Sequence, residues 1–148
     1  MKITTLTKYT PETATRIREL LIQLSRSKKD RGEIPKEWFD ELITSPYHDM
    51  LLAIDDNGKI QGIVTVSTII GPIVRKNAYI EDFVTDESVR RQGVGSQLWE
   101  AVLQWALAHD CKELNFTSGK GREDAWKFYL KKGAEIYDTN FFKKAIQD

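Results

Sequence analysis

One cysteine, two histidines and no excess of either charge sign remove several functions before any motif is read. Cys111 has no partner for an intramolecular disulfide, which suits a reducing cytosol. It reads as a small core residue rather than a nucleophile. His48 and His109 are far apart in sequence and lack cysteines or carboxylates at metal-ligand spacing, so no metal site is expected. Lys+Arg and Asp+Glu number 22 each. With no global field, neither nucleic acid nor an acidic membrane is expected as a partner, and only a local basic patch at Arg90-Arg91 stands out. The longest apolar-leaning run, Ile63 to Val74, is too short to span a bilayer and is broken by Gly71-Pro72. The first residues, Met1 to Thr7, hold no apolar stretch of signal-peptide length, so the expected location is cytoplasmic. A chain of 148 residues with 41% hydrophobic and 30% charged residues reads as one domain, 1–148, with one core.

What is present is an ordered run of short elements. Residues 2–6 read as a strand, and Thr10-Pro11-Glu12 as a helix start carrying Ile17, Leu20, Leu21 and Leu24 at helical spacing. A charged loop, 26–34, reads mainly as a solvated connection. Pro35 opens a second helix that Ser45-Pro46 stops. Met50–Ile54 and Ile60–Ile70 form a hairpin about Asp55-Asp56-Asn57-Gly58, and Asn77–Thr85 is the next strand. A long apolar helix runs from Val94 to His109. Then come a strand at 112–117, a helix at 123–132 and two short strands within 134–143. The order β-α-α-β-β-β-α-β-α-β-β predicts an α/β fold: a mixed, mostly antiparallel sheet with helices on both faces.

Between the 77–85 strand and the long helix lies Arg90-Arg91-Gln92-Gly93-Val94-Gly95-Ser96. Glycines let the backbone turn sharply and approach a ligand, and a helix N-terminus offers unpaired amides and a favourable dipole. With two arginines alongside, this construction suits a phosphate or pyrophosphate. It is not a dinucleotide fingerprint, because Leu98 and its neighbours supply no third glycine. Gly119-Lys120 is not a P-loop, because Leu114 replaces the earlier glycine and Gly121 follows the lysine.

The turn resembles the acyl-CoA loop of the GCN5-related N-acetyltransferases (the GNAT superfamily), whose pattern is met by Arg90, Gly93 and Gly95. A second stretch, Ala125-Trp126-Lys127-Phe128-Tyr129-Leu130-Lys131-Lys132-Gly133-Ala134, is similar to that family's Ala-x-x-Phe-Tyr-x-x-x-Gly-Phe segment, with Ala134 in place of the last Phe. The likeness runs from about Tyr79 to Ala134 and is only topological before that. It implies the acyl-CoA N-acyltransferase fold and acetyl-CoA as donor. It implies pantetheine contacts from Phe83, Val84 and Thr85, and pyrophosphate on the amides of Gln92, Gly93, Val94, Gly95 and Ser96 beside Arg90 and Arg91. It also implies Tyr129 as the acid that protonates the departing thiolate. Many relatives pair, so a homodimer is compatible.

An aliphatic ammonium of pKa ~10.4 must lose a proton before it attacks a thioester, and a carboxylate near the reacting end of the strand can take it. Glu81 and Asp82 are the candidates. On a regular strand they point to opposite faces, so only one should meet the substrate, with Glu81 slightly preferred. The expected acceptor is a small primary amine; peptide N-termini, protein lysines and aminoglycosides stay open. A non-catalytic acyl-CoA-binding module is the competing reading, against which Tyr129 and the strand carboxylates speak.

Overall fold

The computed structural model describes residues 1–73 and 75–147; Val74, the end of the apolar run, lies outside them. Two compact units, Met1–Thr117 and Ser118–Asp148, are taken in turn. The first holds β1 (Lys2–Thr5), α1 (Pro11–Leu24), α2 (Lys36–Thr44), β2 (His48–Ile54), β3 (Ile60–Gly71), β4 (Arg75–Thr85), a 3₁₀ turn (Glu87–Val89), α3 (Val94–Ala108) and β5 (Leu114–Phe116).

Local chemistry sets most of these boundaries. The Thr10 hydroxyl accepts from the Thr13 amide at 3.1 Å, with Pro11 at the first helical position. Ser45, before Pro46, is extended at φ −70°, ψ 131°, and α2 ends there. In the β2–β3 turn the Asp55 carboxylate accepts the amides of Asn57 and Lys59, both at 2.9 Å, while Gly58 takes φ +81°. Pro35 caps α2 rather than opening it, and β2 begins at His48, earlier than the sequence suggests.

The sheet runs β1-β2-β3-β4-β5, antiparallel through β4, with β5 parallel to β4 across the α3 connection. Helices cover both faces. On one, Ile17 and Leu20 of α1 and Phe39 of α2 bury against Met50, Leu52, Ile63 and Val84. On the other lies α3. A Cβ on Gly62 would stand 3.0 Å from Leu98 Cδ1, and Trp105 Nε1 donates to Asp49 Oδ2 at 2.6 Å. The stripe α3 buries is narrower than its composition suggests, since Leu107 is exposed.

One ion pair ties this scaffold to the loop after β4. Arg16 of α1 donates through Nε to Ile60 O at 2.8 Å and through Nη2 to Asp86, whose other oxygen accepts the Ser88 amide and hydroxyl at 2.8 and 2.6 Å. Burial alone would raise the Asp86 pKa, but Arg16 and Ser88 outweigh it and hold the carboxyl far below its usual range. Asp86→Asn is expected to cost about 1–3 kcal/mol at pH 7, because it takes the buried charge partner from a half-buried guanidinium that keeps only Ile60 O and, at 2.9 Å, the more exposed Glu19. A depressed carboxylate stabilises the fold above its unfolded value of ~3.9 and loses that contribution as pH falls toward its folded value. Urea unfolding at pH 7, 4 and 3 should therefore show the gap between wild type and variant shrinking with acidification.

The second unit contains α4 (Glu123–Lys131). The two strands expected within 134–143 are absent, and residues 134–147 form no helix or strand. A strand exists through its ladder, and alternation in the sequence supplies propensity without a partner.

Candidate active site

The site begins with a miscount between two strands. Phe83 pairs with Val64 and Ile80 pairs with Val66, so Thr65 alone on β3 faces Glu81 and Asp82 on β4. This is a β-bulge, which breaks the alternation of side chains. Paired residues share a face, and Val64 and Val66 lie on the α3 side with Gly62, so Ile80 and Phe83 lie there too. Glu81 and Asp82 both fall on the α1/α2 side. The expectation that they point to opposite faces is therefore corrected: it assumed a regular strand.

The two carboxylates differ in setting. Asp82 is half-buried and takes a long hydrogen bond, 3.5 Å, from the Thr65 hydroxyl. Burial pushes its pKa up and the neighbouring Glu81 charge adds to this, while the Thr65 hydrogen bond and the Arg31 charge pull back. Glu81 is exposed.

Beside this pair the sheet opens. The β4–β5 ladder ends at Ile80–Phe116, whereas β4 continues through residues 81–85. Phe83, Val84 and Thr85 are held to β3 through Val64, Ile63 and Gly62, with Val84 packed into the core. Their other edge runs on past the end of β5. An extended molecule can lie along such an edge.

The chain then passes the 3₁₀ turn and enters α3 through Gly93, at φ +86°, ψ 0°. Arg91 also takes positive φ, +64°. No side chain caps α3 and no acidic residue stands in its first turn. The amides of Val94, Gly95 and Ser96 thus lack intrahelical acceptors and face the positive end of the dipole. Gln92 differs from its expected part: its amide donates to Val89 O and its side chain to Ser88 O, both at 3.3 Å, so it closes the turn. Arg90 is exposed and reaches Glu87 at 3.7 Å.

In the second unit the Phe-Tyr-x-x-x-Gly-Ala segment explains itself. Gly133 at φ +85° ends α4, with Gly133 N bonded to Leu130 O and Ala134 N to Tyr129 O, both at 3.0 Å. That is a Schellman cap, and its glycine meets a backbone need. The Tyr129 ring contacts Phe128 edge-on at 5.4 Å. Burial raises its phenol pKa above the usual range, with Arg122 offsetting in part, so the phenol keeps its proton at neutral pH.

Sequence reading missed Thr65, Arg16 and Asp86 as parts of this arrangement. For Asp86 a signal existed: Asp-x-Ser directly after a strand is a capping pattern. For Thr65 there was none, because its place opposite the bulge depends on register.

The sequence profile of the acetyltransferase (GNAT) family matches residues 15–134. The chain is 26% identical over 97 residues to the uncharacterized N-acetyltransferase YhdJ of Bacillus subtilis (strain 168), covering 66% of this chain and 68% of that one. In fold it is similar to the aminoglycoside acetyltransferase meta-AAC0020 from an uncultured soil metagenomic sample, solved with sisomicin. That match has a TM-score of 0.82 at 22% identity and covers 97% and 95% of the two chains. It is also similar to AAC(6')-Iy bound to the bisubstrate analogue CoA-S-monomethyl-acetylneamine, with a TM-score of 0.76 at 21% identity, covering 97% of each chain.

Proposed function

Because this chain belongs to the GNAT acetyltransferase family and is thereby an N-acetyltransferase, we propose that it acetylates the primary amine of a small molecule, with acetyl-CoA as donor and by direct attack on the thioester. The observation that carries the reading is the bulge. It sets a half-buried carboxylate of raised pKa beside the point where β4 outruns β5. The fold likeness to enzymes solved with sisomicin and with an acetylneamine analogue supports a small-molecule acceptor.

Each part of the chain then has a task. The amides of Val94, Gly95 and Ser96, with Arg90 and Arg91, hold the pyrophosphate. The stretch of β4 that runs on past the end of β5, residues 83–85, aligns the pantetheine arm and offers a backbone donor to the thioester oxygen. Asp82 takes the proton of the attacking amine. As the nitrogen–carbon bond forms and the carbon–sulfur bond breaks, Tyr129 supplies the proton that leaves with sulfur. Holding donor and acceptor together provides much of the acceleration, because the thioester is already activated.

Calorimetric titration with acetyl-CoA, beside free CoA and ATP, tests the donor, and thiol release in an amine screen tests the transfer. Selective acetyl-CoA binding with turnover supports the reading. Binding without turnover of any amine leaves a non-catalytic acyl-CoA module. Tyr129→Phe should lower kcat by about 10- to 100-fold. That is toward the low end for an acid–base group, because a thiol of pKa ~8.5 departs readily. An unchanged kcat would remove the role.

A further inference from the structure

The α1–α2 connection, residues 25–35, is a charged strap held at two points. Asp30 accepts from Arg18 Nε at 2.9 Å and Nη2 at 2.5 Å, and its Oδ1 also takes the Gly32 amide at 2.9 Å. Gly32 turns at φ +93°, which leaves Arg31 at the tip of the turn. Toward its start the strap is tied by Lys28 Nζ to Glu87, at 3.3 Å, just ahead of the α3 turn. Its anchors therefore join it to α1 and to the 3₁₀ turn that follows β4.

The strap's charges are not equivalent. Lys28 and Asp30 are committed to those pairs. Arg31 is exposed and makes no hydrogen bond or ion pair among the described residues, yet its charge reaches Asp82. Glu81 and Asp82 turn to the α1/α2 side, which this strap connects. A plain ammonium drawn toward the two carboxylates would be repelled by Arg31. An acceptor with its own carboxylate turns that repulsion into a pairing, and guanidinium matches carboxylate through two parallel hydrogen bonds.

We propose that Arg31 reads a carboxylate on the acceptor, so that the substrate class is an amino acid or similar amino-carboxylate rather than a simple amine or diamine. This rests on the reading of Glu81-Asp82 as the place where the amine arrives. Arg31 acts on specificity and takes no part in proton transfer.

The test uses matched pairs, phenylalanine with phenethylamine and β-alanine with ethylamine, and follows kcat/KM by thiol release. The wild-type protein should favour at least one carboxylated member roughly tenfold or more. Arg31→Ala should erase that ratio through KM, Arg31→Lys should retain part of it, and Lys29→Ala should leave it intact. Equal turnover of both members of each pair by wild type, or a ratio untouched by Arg31→Ala, overturns the inference while acetyl transfer stands. Thiol release with no amine overturns the transfer reading and this inference with it, so the two failures are distinguishable.

Discussion

Asp82→Asn should lower kcat by about 10²–10⁴-fold while leaving acetyl-CoA affinity close to that of wild type. The amide has the size of the carboxylate and can keep the contact with Thr65, so the loss isolates proton acceptance. Glu81→Gln should cost less, because Glu81 is exposed and solvent takes over part of its field. The reverse ranking would return the base to Glu81, the preference drawn from sequence alone. Equal small losses would point to an ordered water.

The pH dependence of the same pair separates catalysis from folding. Burial and the Glu81 charge raise the Asp82 pKa, so its proton-accepting form appears at higher pH than for an ordinary carboxylate. The acidic limb of kcat/KM should reflect this and be absent from Asp82→Asn. For stability the sign is opposite to that of Asp86. A carboxylate whose folded pKa is raised binds more protons in the native state, so stability falls as pH rises above its unfolded value of ~3.9. Asp82→Asn should thus melt no lower than wild type at pH 7. A variant that is inactive and also melts much lower would mean that Asp82 holds the fold.

Much of the architecture is legible in the sequence because its signals are local. Thr10-Pro11, Ser45-Pro46 and Asp55 to Gly58 each act through bonds to residues within a few positions. The glycine turn that opens α3 is legible for the same reason, since Gly93 and the uncapped helix start lie within one turn. The bulge is different. No glycine or proline marks it, and the extra residue exists only in comparison with β3. Two successive acids in mid-strand are visible in the sequence, but not that they share a face. The placing of the 26–34 loop was hidden likewise: a run of mixed charge reads as solvated, and only the Arg18–Asp30 and Lys28–Glu87 pairs show where it is held. The strands expected within 134–143 had alternation without a ladder, which sequence cannot distinguish from a strand.

Gly93→Val should weaken acetyl-CoA binding roughly 30-fold or more, about 2 kcal/mol, by an effect that is conformational before it is steric. At φ +86° a β-branched residue is strained. A Cβ there would meet no atom of the protein within 4 Å, so crowding inside the chain is not the cause. The strain is relieved by moving the backbone out of the left-handed region, which re-aims the amides of Val94, Gly95 and Ser96. Gly93→Asn separates the two effects, because asparagine tolerates positive φ far better. If φ is what matters, the Asn variant keeps most of the affinity and the Val variant loses it. If both lose it equally, the added side chain is occupying space that the pyrophosphate needs. Titration of both variants with acetyl-CoA and with free CoA gives the answer directly, since the two ligands share the pyrophosphate and should weaken together. Wild-type affinity in Gly93→Val would mean that the turn at Gly93 is not where the phosphates bind, and Arg90, Arg91 and the α3 amides would lose their assigned part.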